Sequence, residues 1–130
     1  MDVTIKPTSN SDCRRLSSVL GLIGDKWTVM IIAALVEQPR RFNELRRIVG
    51  GISQQMLTRT LKALERDGIV SRTVHPTVPP QVVYALTDLG LSLAVPIRAL
   101  GDWARENLDR IEGSRAQYDS SAERNASAGS

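Results

Sequence analysis

The chain has 130 residues, 42% of them apolar, one cysteine and a net charge of +3, which fits one compact domain around a single core and leaves no room for a second domain of ordinary size. Its longest near-continuous apolar run, Val29 to Val36, is under half of the ~20 residues that cross a bilayer, and no charged-then-apolar leader opens the sequence. A soluble, cytoplasmic protein with no membrane partner is expected, and Cys13, with no second cysteine to pair with, suits a reducing compartment.

Residues 1–11 and 112–130 are rich in Ser, Asn, Asp and Ala and poor in large apolar side chains. Neither stretch buries enough surface to offset the entropy of ordering, so the reading is a flexible N-terminus, a folded domain over 12–111 and a disordered tail over 112–130. From Asp12, Cys13, Leu16, Val19, Leu20 and Ile23 recur at helical spacing. After Gly24 a second set follows with Trp27, Met30, Ile31, Ala34 and Leu35, and Asp25 is placed to cap it. Pro39 ends that region, and "RRFNELRRIV" puts Phe42, Leu45, Ile48 and Val49 on one side of a short third helix closed by Gly50 and Gly51.

The stretch "SQQMLTRTLKALERDG" predicts a fourth helix with well-specified ends. Ser53 is an N-cap, Ile52 before it can staple onto Leu57, and Gly68 sits where a left-handed residue is wanted. Leu57, Leu61 and Leu64 form its buried stripe, while Gln55, Arg59, Lys62 and Arg66 fall at steps of four, three and four on the other side, with Thr58 beside them. After Gly68 the period shifts to two: "IVSRTVH" and "QVVYALT" read as paired strands, and "PTVPP" as a stiff, protruding tip. Thr87 then caps a long helix in which Leu89, Leu93, Ile97, Leu100, Ala104, Leu108 and Ile111 form a stripe with Trp103 alongside, and Pro96 is expected to kink it.

This order predicts a mainly α fold with a small β-hairpin: a winged helix-turn-helix domain with N- and C-terminal dimerisation helices. A helix of roughly 14 residues is about 21 Å long, and a major groove about 12 Å wide admits one. Gln pairs bidentately with adenine, Arg with guanine, and Thr offers a methyl or hydroxyl to thymine. Gln54, Gln55, Thr58 and Arg59 near the N-terminal end are therefore the candidate base readers, with Ser53 at the cap and Lys62 and Arg66 placed for phosphate. Arg72, His75 and Thr77 on the wing are candidates for the DNA backbone or minor groove. Charge agrees: from Arg40 to Arg72 eight cations face three anions, a local balance of +5 that leaves the rest of the chain at −2. The competing readings are a solvated arginine-rich face and a winged-helix module whose polar face docks an acidic protein.

The last helix argues for self-association, since its apolar stripe runs longer than one small core can cover. The economical partner is a second copy, through Leu16 and Leu20 of the first helix and Leu93, Ile97, Leu100, Trp103, Ala104 and Leu108 of the last. Two recognition helices about 34 Å apart imply a roughly palindromic operator in double-stranded DNA. The other arrangement folds the helix back over its own domain at Pro96. Enzyme chemistry finds little: one His and one Cys far apart, no Gly-rich phosphate loop joining strand to helix and no metal-ligand cluster, so no catalytic residue, metal or cofactor is expected.

With these residues in view, the sequence resembles the HxlR family of prokaryotic winged-helix regulators over about Cys13 to Trp103. The carriers are "GDKWT", "RRFNELRR", "GISQQMLTRTLKALERDGIVSRTV" and "PPQVVYALTDLG". The resemblance implies a homodimer on operator DNA, acting as repressor or activator, with Ser53 to Asp67 as recognition helix, Arg72 to Gln81 as wing and dimer contacts on the first and last helices. Several members sense oxidants or electrophiles through a cysteine near the start of the first helix, where this chain has Cys13. The family commonly has proline after that cysteine, and here Arg14 follows. Two arginines and a helix N-terminus favour a reactive thiolate; Cys13 is also in phase with Leu16 and Leu20, as a small packed residue would be. An oxidant or small-molecule effector is thus a candidate partner of unknown identity.

Overall fold

Asp25 stands in extended conformation ahead of the second helix, and its carboxylate accepts from the backbone N–H groups of Trp27 (2.8 Å) and Thr28 (3.4 Å). That expected cap separates α1 (Asn10–Ile23) from α2 (Lys26–Glu37). The computed structural model describes residues 10–128, so most of the expected flexible N-terminus, 1–9, lies outside the described residues. The remaining elements are β1 (Arg40–Arg41), α3 (Phe42–Val49), α4 (Gln54–Arg66), β2 (Val70–His75), β3 (Gln81–Leu86) and α5 (Asp88–Ala128). The result is mainly α with a small antiparallel sheet, as the sequence predicts. The chain divides into two compact units, up to Val95 and from Pro96 onward.

In the first unit, Ile31, Ile32 and Leu35 of α2, Leu45 and Val49 of α3, and Leu57, Leu61 and Leu64 of α4 make the core, together with Ile52, Ile69 and Val70. Burying each such side chain contributes about 1.5–3 kcal/mol, which is why the three leucines of α4 fix which way its polar side faces. Ile48, expected on the inner face of α3, is instead 48% exposed. In an eight-residue helix, Leu45 and Val49 at spacing four take the inner face and push Ile48 off it.

The sheet order is β1-β3-β2, and both pairings are antiparallel. β2 and β3 pair from Val70↔Leu86 to His75↔Gln81, the expected hairpin. Its tip protrudes, with residues 76–80 all exposed and Val78 fully so. Strand β1 is an addition that the sequence pattern does not predict: Arg40 pairs with Tyr84 and Arg41 with Val83. The joint between hairpin and last helix is Thr87, whose hydroxyl donates toward the carbonyls of Gly68 (2.6 Å) and Ile69 (3.1 Å) and accepts from the N–H of Gly90 (3.1 Å).

In the second unit α5 continues to Ala128, which corrects the expectation of a disordered tail over 112–128, while residues 129–130 lie outside the described residues. A lack of large apolar residues argues against a core there, not against a helix. Arg115, Ala116, Gln117, Ala122, Glu123 and Arg124 are all strong helix formers, and an isolated Gly113 costs only about 1 kcal/mol. Pro96 lies inside the helix without ending it. No single described helix is long and apolar enough to cross a membrane.

Candidate nucleic-acid interface

The turn between α3 and α4 is made by Gly50 and Gly51, both at positive φ (+61° and +80°), which bend the chain sharply enough to set the two helices as a helix-turn-helix. Ser53 then caps α4, its Oγ accepting from the Met56 N–H at 3.0 Å. At the other end Gly68 takes φ +76°, the left-handed position that its spacing predicts. With Leu57, Leu61 and Leu64 buried, the opposite side of α4 is committed to solvent.

On that side Gln54, Gln55, Thr58, Arg59 and Lys62 line one shallow surface depression, so five of the seven residues expected to read DNA form a continuous patch. Thr58 is half-buried and the other four are exposed. Ser53 and Arg66 lie beyond the two ends of the patch, the first with its hydroxyl engaged in the cap, the second exposed in the last turn. A neighbouring recess brings the wing in: Arg72 of β2 lines it together with Gln54, Thr58 and Lys62. His75 and Thr77 are exposed nearer the tip and belong to neither recess, and the Thr77 hydroxyl donates to the carbonyl of Pro79 at 2.8 Å.

The eight cations of the basic middle divide into two groups. Arg40 pairs with Glu37 at 3.0 Å and donates from Nε to the carbonyl of Ala34 at 3.2 Å, and Arg41 pairs with Glu44 at 3.7 Å. Arg40 thereby ties β1 to the end of α2, and Arg41 ties it to the first turn of α3. Arg46, Arg47, Arg59, Lys62, Arg66 and Arg72 are exposed and, among the described residues, make no ion pair. Unneutralised, exposed cations are what a polyanion requires. Asn43, Arg46 and Arg47 form a further basic depression on α3, which the sequence shows only as charge.

The side chains expected at a dimer interface are largely uncovered. Leu16 is 50% and Leu20 58% exposed on α1, and Leu100, Trp103, Ala104 and Leu108 are exposed on α5, while Leu93 is half-buried and Ile97 buried. Cys13 is exposed on α1. No group of three or more His, Cys, Asp or Glu able to hold a metal occurs among the described residues.

Known proteins share this architecture. The chain is 44% identical over 93 residues to YtfH of Escherichia coli (strain K12), an uncharacterized HTH-type transcriptional regulator, covering 72% of this chain and 74% of that one. Among solved structures, YtfH from Salmonella typhimurium superposes with a TM-score of 0.71 at 41% identity, covering 77% of this chain and 89% of that one. The redox regulator HypR in its reduced form superposes with a TM-score of 0.71 at 39% identity, covering 76% and 98%. The HxlR-like helix-turn-helix family matches residues 22–112, from the end of α1 well into α5, and the chain belongs to that family of DNA-binding transcriptional regulators.

Proposed function

We propose that the protein is a sequence-specific transcriptional regulator that binds a roughly palindromic operator as a homodimer, acts in the cytoplasm and catalyses no reaction. The observation that carries this reading is the division of α4: a fully buried leucine stripe on one side, and on the other a continuous Gln54, Gln55, Thr58, Arg59 and Lys62 patch with Arg66 and Arg72 near it, cations that make no ion pair among the described residues. Gln54, Gln55, Thr58 and Arg59 meet base edges with Ser53 at the cap, Lys62 and Arg66 meet phosphates, and Arg72, His75 and Thr77 follow the backbone beside the wing.

The homodimer is supported by what the single chain leaves uncovered. Leu16, Val19 and Leu20 on α1 and Leu100, Trp103 and Leu108 on α5 are each 48% exposed or more. A long helix with an uncovered apolar stripe is marginal in water alone, and a second copy buries it through matching patches. An oxidant is the effector class that Cys13 suits, and the kinship with the redox regulator HypR supports it.

Hydroxyl-radical footprinting on the DNA flanking the gene tests the reading. Two protected patches are expected, with centres about 10 base pairs or a multiple apart. A single patch, or protection spread evenly over any sequence, overturns it.

A further inference from the structure

The recess between α4 and the hairpin contains more than the residues needed to read bases. Arg72 and Tyr84 are direct cross-strand partners, so their side chains leave the same face of the sheet about 5 Å apart at Cβ. Lys62 reaches the same recess from α4, and Phe42 and Val82 supply apolar wall. Among the described residues the Tyr84 hydroxyl makes no hydrogen bond, and neither cation makes an ion pair. Two cations and one neutral hydroxyl donor thus share a half-apolar recess.

We propose that this recess seats one backbone phosphate of bound DNA, held by Lys62, Arg72 and the Tyr84 hydroxyl. An acceptor-only, negatively charged group satisfies all three, whereas even the acceptor-only major-groove edge of guanine carries no formal charge to set against two cations. Charge-assisted bonds from phenol and guanidinium are also stronger beside apolar wall than in open water. Glu65 lines the recess as well, three residues beyond Lys62, and its carboxylate opposes the phosphate. Seating a phosphate here fixes how the wing sits against α4 and hence the register in which Gln54 and Thr58 meet the bases. Tyr84 is accordingly a positioning residue.

This inference rests on the DNA-binding reading, and a duplex of random sequence separates the two, because a phosphate seat acts on any DNA. By fluorescence anisotropy at low salt, Tyr84→Phe is expected to weaken binding about 5-fold or more, with an unchanged slope of log affinity against log salt and an unchanged thermal midpoint. Lys62→Gln and Arg72→Gln each weaken binding, the two together reduce the magnitude of that slope by about 0.9 for the one phosphate seated, and Glu65→Gln tightens binding. Tyr84→Phe combined with Lys62→Gln loses less than the product of the two single losses. Wild-type binding that Tyr84→Phe leaves unchanged overturns the seat alone. If inorganic phosphate then also raises the thermal midpoint of wild type and not of Tyr84→Phe, the recess holds free anions instead. No wild-type binding to any duplex overturns the DNA reading and the seat together.

Discussion

Replacing Gly90 by alanine tests the joint that hangs the last helix on the reading head. Gly90 is buried in the first turn of α5, and a Cβ there would run into the carbonyl oxygen of Ile69, with Leu86 Cδ2 at 2.9 Å and the Ile69 carbonyl carbon at 3.3 Å. The leucine can rotate away. The carbonyl cannot, because it accepts from both the backbone N–H and the hydroxyl of Thr87, each at 3.1 Å. The helix start must therefore lift, straining or breaking those bonds. In an open helix, Gly→Ala gains up to about 1 kcal/mol; here overpacking of about 1–3 kcal/mol and the weakened bonds, about 1 kcal/mol each, reverse the sign. A net loss of about 2–4 kcal/mol lowers the thermal midpoint by at least about 8 °C. Circular dichroism melts at one fixed protein concentration measure this, since association itself moves the midpoint. Gly113→Ala is the contrast: nothing lies within 4 Å of a Cβ there, and it is expected to stabilise by up to about 1 kcal/mol. A Gly90→Ala protein as stable as wild type would refute the close approach.

Three further outcomes follow from the same geometry. Leu61, 1% exposed in the middle of the buried stripe, is expected to cost about 2–5 kcal/mol as Leu61→Ala, read as a lower urea midpoint with unchanged slope. On an operator scanned base by base, Arg59→Ala should lose about 1–3 kcal/mol of discrimination at one position, while Lys62→Ala weakens all DNA more evenly; equal losses on operator and random DNA for Arg59→Ala would remove it from the readers. Mild oxidation with diamide should change operator affinity in the wild type and leave Cys13→Ser unaffected, and an unchanged wild type would mean that Cys13 only packs.

What the sequence made legible was whatever is set by a few neighbouring residues. Asp25, Ser53, Gly68 and Thr87 each act on the backbone within a few positions, so the helix ends could be placed from local chemistry. The leucine period of α4 likewise exposed its polar side directly, and the hairpin announced itself by alternation broken at the prolines. Strand β1 was not legible because two arginines carry no alternation; only the pairing with Tyr84 and Val83, more than forty residues away, makes them a strand. For the same reason the basic middle read as eight equal charges, when Arg40 and Arg41 are occupied by Glu37 and Glu44. The helix beyond residue 111 was hidden by a rule that equates absence of core residues with disorder, although intrinsic propensity alone extends a helix that is already nucleated. The alternation of β3 does not tell what Tyr84 meets, since one face of a strand looks the same whether it faces a core or a recess.

The most direct test is fluorescence anisotropy of the intergenic duplex flanking the gene against a scrambled duplex of equal length, at two salt concentrations. Both affinities should fall with a log–log slope near about −0.9 per phosphate neutralised, while the preference for the native duplex persists at the higher salt. Binding that is equal on the two duplexes and vanishes together with added salt would contradict sequence reading by α4.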